Sequence, residues 1–420
     1  MRCCRGVLVG MLLLSACRAV ADDQAVVLQD LLTKLENATA EDRVAAAKAI
    51  VGISSEAPEA IGALVKSLTD SSPDRRVAAA LVLGEIGKPQ PEVVAGLLSA
   101  LEDESLQRDD LPVWIFAASA LGKLGPAVTP DLIKRLDHAK KNVRRGAAIA
   151  LHGIGPGAVA AVPPLIKLLQ EDDPATRNAA IYALYGIGKP SAPAMPVLIK
   201  MLRSDDFHTQ YWSCRAIGKI GAPQALAAVP KMIELLGTGV TSVRRNAADA
   251  IGEIGPAVGD RVLQPLATAL KSPIYPVRRS AAIALGKLGP LAAGSAPELR
   301  AAMDKRHSIR AEAAAALWQV TGDPHPGMDI LLAALQSSGE PWEAALAFQR
   351  LGAAAQPALD QLVPLLEANS SETQLFAVYA IASMGPPARK ALPALRSMLD
   401  TPDDFLRDVV RQAIAVLETE

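Results

Sequence analysis

Aromatic residues are scarce. Phenylalanine, tyrosine and tryptophan make up 3% of 420 residues, although half of the chain is hydrophobic. The apolar content is mostly alanine, leucine, isoleucine and valine, which suits thin, closely stacked elements. Cysteine is also rare. Cys3, Cys4 and Cys17 stand at the N-terminus and only Cys214 lies in the body, which excludes an intramolecular disulfide framework or a thiolate metal site there. The five histidines, His138, His152, His208, His307 and His325, form no His-x3-His pair, and none is followed by glutamate. P-loop, dinucleotide, nucleophile-elbow and Cys-x-x-Cys motifs are missing, so no catalytic residue, metal or cofactor is expected. Neither sign of charge dominates, with 43 basic against 44 acidic residues, and nothing general points to a nucleic-acid partner.

The N-terminus has a composition of its own. Arg2 and Arg5 precede an apolar run over 7–16, too short to span a bilayer, and together they read as an export signal. Two cleavage sites compete. Ala19-Val20-Ala21 before Asp22 offers the small residues a signal peptidase accepts, giving a leader over 1–21. Leu14-Ser15-Ala16-Cys17 offers a lipobox, giving a signal over 1–16 and a lipid anchor on Cys17. Both export the body, to the periplasm or medium in the first case and to a membrane surface in the second. No integral membrane span is expected.

From residue 24 onward the chain repeats. The stretch 277–290, V-R-R-S-A-A-I-A-L-G-K-L-G-P, ends at Gly289, and equivalent glycines stand at 87, 125, 155, 188, 221, 255, 352 and 385. Ser54, Thr321 and Glu418 fill the same slot elsewhere, so about twelve copies follow one another at intervals of 30 to 38 residues. A period of this size predicts a solenoid. Each copy opens with a leucine-rich apolar segment, often begun by proline (Pro130, Pro196, Pro230, Pro297, Pro393). A polar turn follows, with a capping pair in Ser72-Pro73, Asp173-Pro174, Ser272-Pro273 and Thr401-Pro402. The motif itself is the second helix. Val277, Ala281, Ala284, Leu285 and Leu288 fall on its core face, and Gly-Pro stops it.

Helix, polar turn, helix and Gly-Pro stop, recurring over 24–420, resemble the HEAT-repeat family in its short bacterial form, related to bilin-lyase HEAT proteins. The resemblance implies an all-α fold, a right-handed α-solenoid whose second helices line the concave side. It also implies that the arginines after the motif's first residue (Arg43, Arg76, Arg144, Arg177, Arg244, Arg278, Arg310, Arg407), with nearby acids such as Asp70, Asp137, Asp172 and Asp304, form a polar ladder between levels. An anion-binding row is the competing reading. A charged insertion at 102–110 and a break at 321–328 interrupt the regularity, the second as a candidate seam.

Taking 277–290 as a ruler, the face opposite the core begins at Arg279, Ile283 and Gly286. The same phase exposes Arg145, Ile149 and His152; Asn178, Tyr182 and Tyr185; Tyr211, Arg215 and Gly218; and Arg245 with Asp249. Three of five tyrosines thus fall on two adjacent levels. Tyrosine and arginine combine contact area with hydrogen bonding, which makes Arg145, His152, Asn178, Tyr182, Tyr185, Tyr211, Arg215 and Arg245 the candidate binding residues. Trp318, Trp342 and Tyr379 form a poorer second strip. Cys214 occupies an alanine slot and is expected to be a small buried hydrophobe. The favoured reading is an exported, non-catalytic scaffold binding a protein partner. A tetrapyrrole-binding or lyase-like protein and a subunit of an envelope complex remain as alternatives.

Overall fold

The computed structural model describes residues 58–107, 110–304, 309–337, 339 and 341–419. The leader, both cleavage sites and the first copy's Arg43 and Ser54 lie outside them. The described residues fold as a helix-only solenoid of successive helix pairs, and they divide into two compact units at Ile220/Gly221. The first unit holds the pairs α1 (Pro58–Ser67) and α2 (Pro73–Ile86), α3 (Pro91–Ala100) and α4 (Val113–Lys123), α5 (Thr129–Arg135) and α6 (Lys141–Ile154), α7 (Val162–Leu168) and α8 (Pro174–Ile187), and α9 (Met195–Met201) and α10 (Phe207–Ile220). The second holds α11 (Val229–Thr238) and α12 (Thr241–Ile254), α13 (Leu263–Ala269) and α14 (Tyr275–Leu288), α15 (Ala296–Ala302) and α16 (Arg310–Thr321), α17 (Gly327–Leu335) and α18 (Pro341–Leu351), α19 (Leu359–Leu362) and α20 (Ser371–Ser383), and α21 (Leu392–Ser397) and α22 (Asp404–Glu418). Within each unit, every second helix packs on the second helices before and after it.

Periodicity placed the core correctly. Val277, Ala281, Ala284, Leu285 and Leu288 are all at most 1% exposed, and so are their counterparts Val143, Ala147, Ala150 and Leu151 on α6. Alanine at two of these positions lets neighbouring helices approach, so burial comes from many small side chains rather than a few large ones. Cys214, in an alanine slot, is buried, and burial pushes its thiol up to about 12, which leaves it an inert hydrophobe. The run 141–168 is apolar for the same reason. It is not one continuous helix, because Gly155, at φ 70°, breaks it between α6 and α7.

The turns correct several details. Ser72 and Asp173 cap α2 and α8 as expected, accepting from Arg75 N and Thr176 N. Thr401 does not cap α22, which begins later and is capped by Asp403 through Leu406 N. Helix α14 likewise starts at Tyr275, beyond Ser272-Pro273. In the ninth copy the helix runs through Thr321, and Gly322 ends it at φ 72°, one residue after the slot assigned from spacing. The break at 321–328 lies inside the second unit, where α17 packs on α16. The insertion after α3 makes a small turn held by an antiparallel bridge between Leu106 and Pro112.

The arginine row acts mainly within its own copy. Arg76, Arg144, Arg177, Arg278 and Arg407 each donate to a backbone carbonyl six residues earlier, at Asp70, His138, Glu171, Ser272 and Thr401. Gln210 and Gln374, which replace arginine in two copies, donate to the carbonyls of Ser204 and Ala368 at the same offset. In these copies the slot holds a long N–H donor that satisfies carbonyls of the turn between the two helices. Links between levels occur at Arg76–Asp103 (2.6 Å) and Arg144–Glu171 (2.8 Å), so the carboxylates of these rungs are Asp103 and Glu171, not Asp137 or Asp172. Among the described residues, the row's donors are engaged by carbonyls and do not form an open anion-binding track. Replacing Arg144 by leucine is expected to cost about 1–3 kcal/mol in urea unfolding, and Arg144→Gln at most half of that. Equal losses from both would show that charge, not donation, is what the slot requires.

Candidate functional site

Helices α6, α8 and α10 are consecutive second helices of the first unit, and their first exposed turn carries polar side chains. Arg145 donates to Asp173 at 2.7 Å and to the Thr176 hydroxyl at 3.3 Å. One level on, Asn178 donates to Asp206 at 3.1 Å and accepts from the Thr209 hydroxyl at 2.8 Å. Asp173 and Asp206 also receive the N–H of Thr176 and Thr209 at the starts of α8 and α10. Arg145 and Asn178 thus tie each second helix to the cap of the next. They frame the site, and their polar groups serve the stacking.

The aromatic residues gather one to two turns further along. His152 stacks on Tyr182 with ring centroids 3.6 Å apart, and its Nδ1 lies 3.0 Å from the Tyr182 carbonyl oxygen. A carbonyl only accepts, so Nδ1 carries the proton and Nε2 keeps a lone pair in the neutral ring. Burial, opposed by that carbonyl and reinforced by Arg215, lowers the His152 pKa and favours this neutral form. Tyr182 packs against Trp212 at 4.6 Å, and Tyr211 meets the same indole edge-on at 5.0 Å. Arg215 completes the cluster. Its guanidinium lies 4.6 Å from the Tyr185 centroid, 5.7 Å from Tyr211 and 5.0 Å from Trp212, within cation–π range of all three. Its Nη1 donates to the Tyr211 hydroxyl at 3.1 Å and its Nη2 to the Tyr185 hydroxyl at 2.9 Å. Among the described residues no carboxylate pairs with Arg215. All six side chains are partly exposed.

Five of the eight candidates therefore form one continuous cluster: His152, Tyr182, Tyr185, Tyr211 and Arg215. Arg145 and Asn178 border it. Arg245 lies on α12 in the second unit, within electrostatic reach of Asp249. Trp212 was missed, because the ruler counted only the face centred on Arg279 and not the adjoining slot. That slot holds Ala78, Gly146, Ala179, Asn246 and Ser280 in five copies, so tryptophan is a visible exception.

A second signal lies in a reversal of size. Five second helices place glycine three residues before the terminal slot and a long polar residue after it: Gly84-Glu85, Gly122-Lys123, Gly218-Lys219, Gly252-Glu253 and Gly286-Lys287. That glycine is a contact point and not an exposed position. Gly286, expected on the open face, is buried, and a Cβ there would approach Ala316 Cα at 3.1 Å. Two of the three cluster helices, α6 and α8, invert the pair to His152-Gly153 and Tyr185-Gly186, while α10 keeps Gly218-Lys219. Gly186 then makes room for the imidazole, since a Cβ there would fall 2.5 Å from His152 Nδ1 and 2.6 Å from its carbonyl oxygen. Gly186→Ala should cost about 1–3 kcal/mol and change tryptophan fluorescence through Trp212. An unchanged melting curve with wild-type fluorescence would show that the packing is looser than these distances require.

The second strip separates. Trp342 is 52% exposed and sits near Phe376 (5.8 Å) and Tyr379 (6.5 Å), whereas Trp318 is buried at 4% exposure and serves the core.

The family described as HEAT repeats matches residues 28–111, 129–194, 162–239, 229–318 and 328–416. The chain belongs to the HEAT-repeat family. The match is to HEAT repeats at large and does not single out the bilin-lyase type. A comparison with curated protein sequences gave no match. Among solved structures, the chain is similar to an engineered protein at 22% identity and a TM-score of 0.37, covering 98% of this chain and 99% of the other. It is also similar to importin beta, at 15% identity and a TM-score of 0.48, covering 95% of this chain and spanning 63% of importin beta. Among the described residues no group of three or more histidine, cysteine, aspartate or glutamate side chains is placed to hold a metal ion.

Proposed function

We propose that this protein is an exported, non-catalytic HEAT scaffold of about twelve repeats that binds a protein partner through the concave, second-helix face. The contact centres on His152, Tyr182, Tyr185, Tyr211, Trp212 and Arg215. The observation that carries the reading is the Arg215 cluster itself: one guanidinium held by two phenols and an indole and, among the described residues, matched by no carboxylate. In a chain with 3% aromatic residues, five rings and one arginine meet on three adjacent helices of a partly exposed face. Rigid aromatic groups bury large area at low entropic cost, and cores of interfaces are enriched in Tyr, Trp and Arg. The apolar leader supports export, with Cys17 as the anchor if the lipobox is used. The test is capture of partners in the native compartment by the wild-type chain and by Tyr182→Ala/Tyr185→Ala/Tyr211→Ala/Arg215→Ala. The reading expects partners on the wild type that the variant loses while its helical content is unchanged. Equal capture by both would refute it.

A further inference from the structure

Resting on the binding face just proposed, we infer that the Arg215 cluster recognises a carboxylate side chain in an acidic segment of the partner protein, and that the phenols of Tyr185 and Tyr211 make the contact. The direction of the hydrogen bonds carries this. Guanidinium N–H groups only donate, so both tyrosine oxygens act as acceptors toward Arg215 (2.9 and 3.1 Å). Each phenol's own O–H proton is left over, and among the described residues neither hydroxyl is seen donating to an acceptor. An O–H whose oxygen already accepts from a cation is polarised into a stronger donor. Arg215 thus holds two strengthened O–H donors on adjacent helices α8 and α10, and a carboxylate offers two oxygens to such a pair.

Charge complementarity agrees. Arg145, at the rim of the same face, is paired with Asp173, but among the described residues Arg215 has only neutral partners, so the cluster keeps a positive charge for an incoming anion. Burial disfavours a second cation at His152, and Arg215 beside it adds to that. Tyr182 and Trp212 beside the phenols provide ring surface for the apolar part of the same segment. The guanidinium spends one N–H on each phenol and is packed among three rings. Recognition through the hydroxyls therefore makes a different prediction from a direct arginine–carboxylate bridge.

The experiment titrates the full-length chain with a fluorescein-labelled peptide alternating glutamate with alanine, and with the same peptide carrying glutamine. Both are repeated on Tyr185→Phe/Tyr211→Phe, which keeps every ring and the arginine, and on each single variant. The wild type should bind the glutamate peptide about tenfold more tightly or better, in line with charge-assisted hydrogen bonds. The double variant should bind both peptides alike, with each single variant in between. Equal binding of the two peptides by the wild type, or a preference that survives in the double variant, overturns the inference. Competition by free glutarate as strong as by the peptide would also overturn it, in favour of a small-molecule site. If no preference appears but the alanine variant still loses its partners, the scaffold reading stands and the carboxylate inference alone fails.

Discussion

Replacing Glu312 by alanine should destabilise the second unit by about 3–5 kcal/mol, the range for breaking a buried ion pair from one side. Glu312 lies on α16 with its side chain 1% exposed and accepts from Arg279 Nε at 2.7 Å. It occupies the slot filled by Trp212 in the first unit, facing back toward the preceding second helix. Arg350 is close enough to feel both charges: burial lowers its pKa first, Arg279 lowers it further and Glu312 opposes. Removing the carboxylate leaves Arg350 and the partly exposed Arg279 (31%) within electrostatic reach of each other without the acid that offsets them. Glu312→Gln keeps an acceptor for Arg279 and should cost less. Arg279→Leu/Glu312→Leu should recover much of the loss, because no charge is then stranded. A double-mutant cycle in urea reads the coupling directly. A loss below about 1 kcal/mol for Glu312→Ala would place this pair with ordinary surface ion pairs.

The second large effect is expected at Asp173, and it depends on pH. This carboxylate accepts from the N–H and hydroxyl of Thr176 (2.8 and 2.6 Å), from Arg145 (2.7 Å) and from Lys141 (3.3 Å). The Thr176 hydroxyl does most to hold its carboxyl well below the usual carboxylate range; burial opposes, and Arg145 and the Thr176 N–H add to the lowering. Asp173→Ala removes a helix cap and a charge-assisted bond together, about 2–4 kcal/mol. Because the folded pKa is depressed, the contribution is present above the ordinary aspartate value of about 3.9 and is lost as pH falls below it. Asp70, Asp103 and Asp206 in the same unit are shifted the same way. Asp249 in the second unit has the opposite sign. Burial raises its pKa, with Ser280 opposing, so its contribution is present in acid and lost as pH rises through the folded value. Hydrogen exchange between pH 5 and pH 3 should therefore open α8 and α10 before α12 and α14. Asp173→Asn, which can still cap but cannot titrate, should weaken that dependence. Earlier opening of the second unit would contradict the assignment.

The repeat was legible because its rules are local and recur. Glycine ends helices, alanine permits close packing, and Val277-type residues face inward in copy after copy. The phase set by 277–290 was accurate enough to place Tyr182, Tyr185, Tyr211 and Arg215 together. What failed depended on reach or on one-residue shifts. A long arginine side chain can face the next level or its own turn, and periodicity cannot choose; the substitutions Gln210 and Gln374 held the clue, since an amide donates but carries no charge. Gly322 replaced the expected stop at Thr321 because the helix gained a residue. Trp212 and Glu312 share a slot that touches the preceding helix, so each works with a partner one copy away. Arg245 followed the correct phase but belongs to the second unit, where arginines and carboxylates take the place of the rings.

The most direct test of the binding face is photo-crosslinking in the native compartment. A benzophenone amino acid is placed at position 182 in the aromatic cluster, and separately at position 159, where Val159 is 49% exposed between α6 and α7. The account predicts discrete adducts with a partner protein from position 182, abolished by Arg215→Ala, and none of the same adducts from position 159. The same adducts from both positions, or adducts from 182 that persist without Arg215, would contradict it.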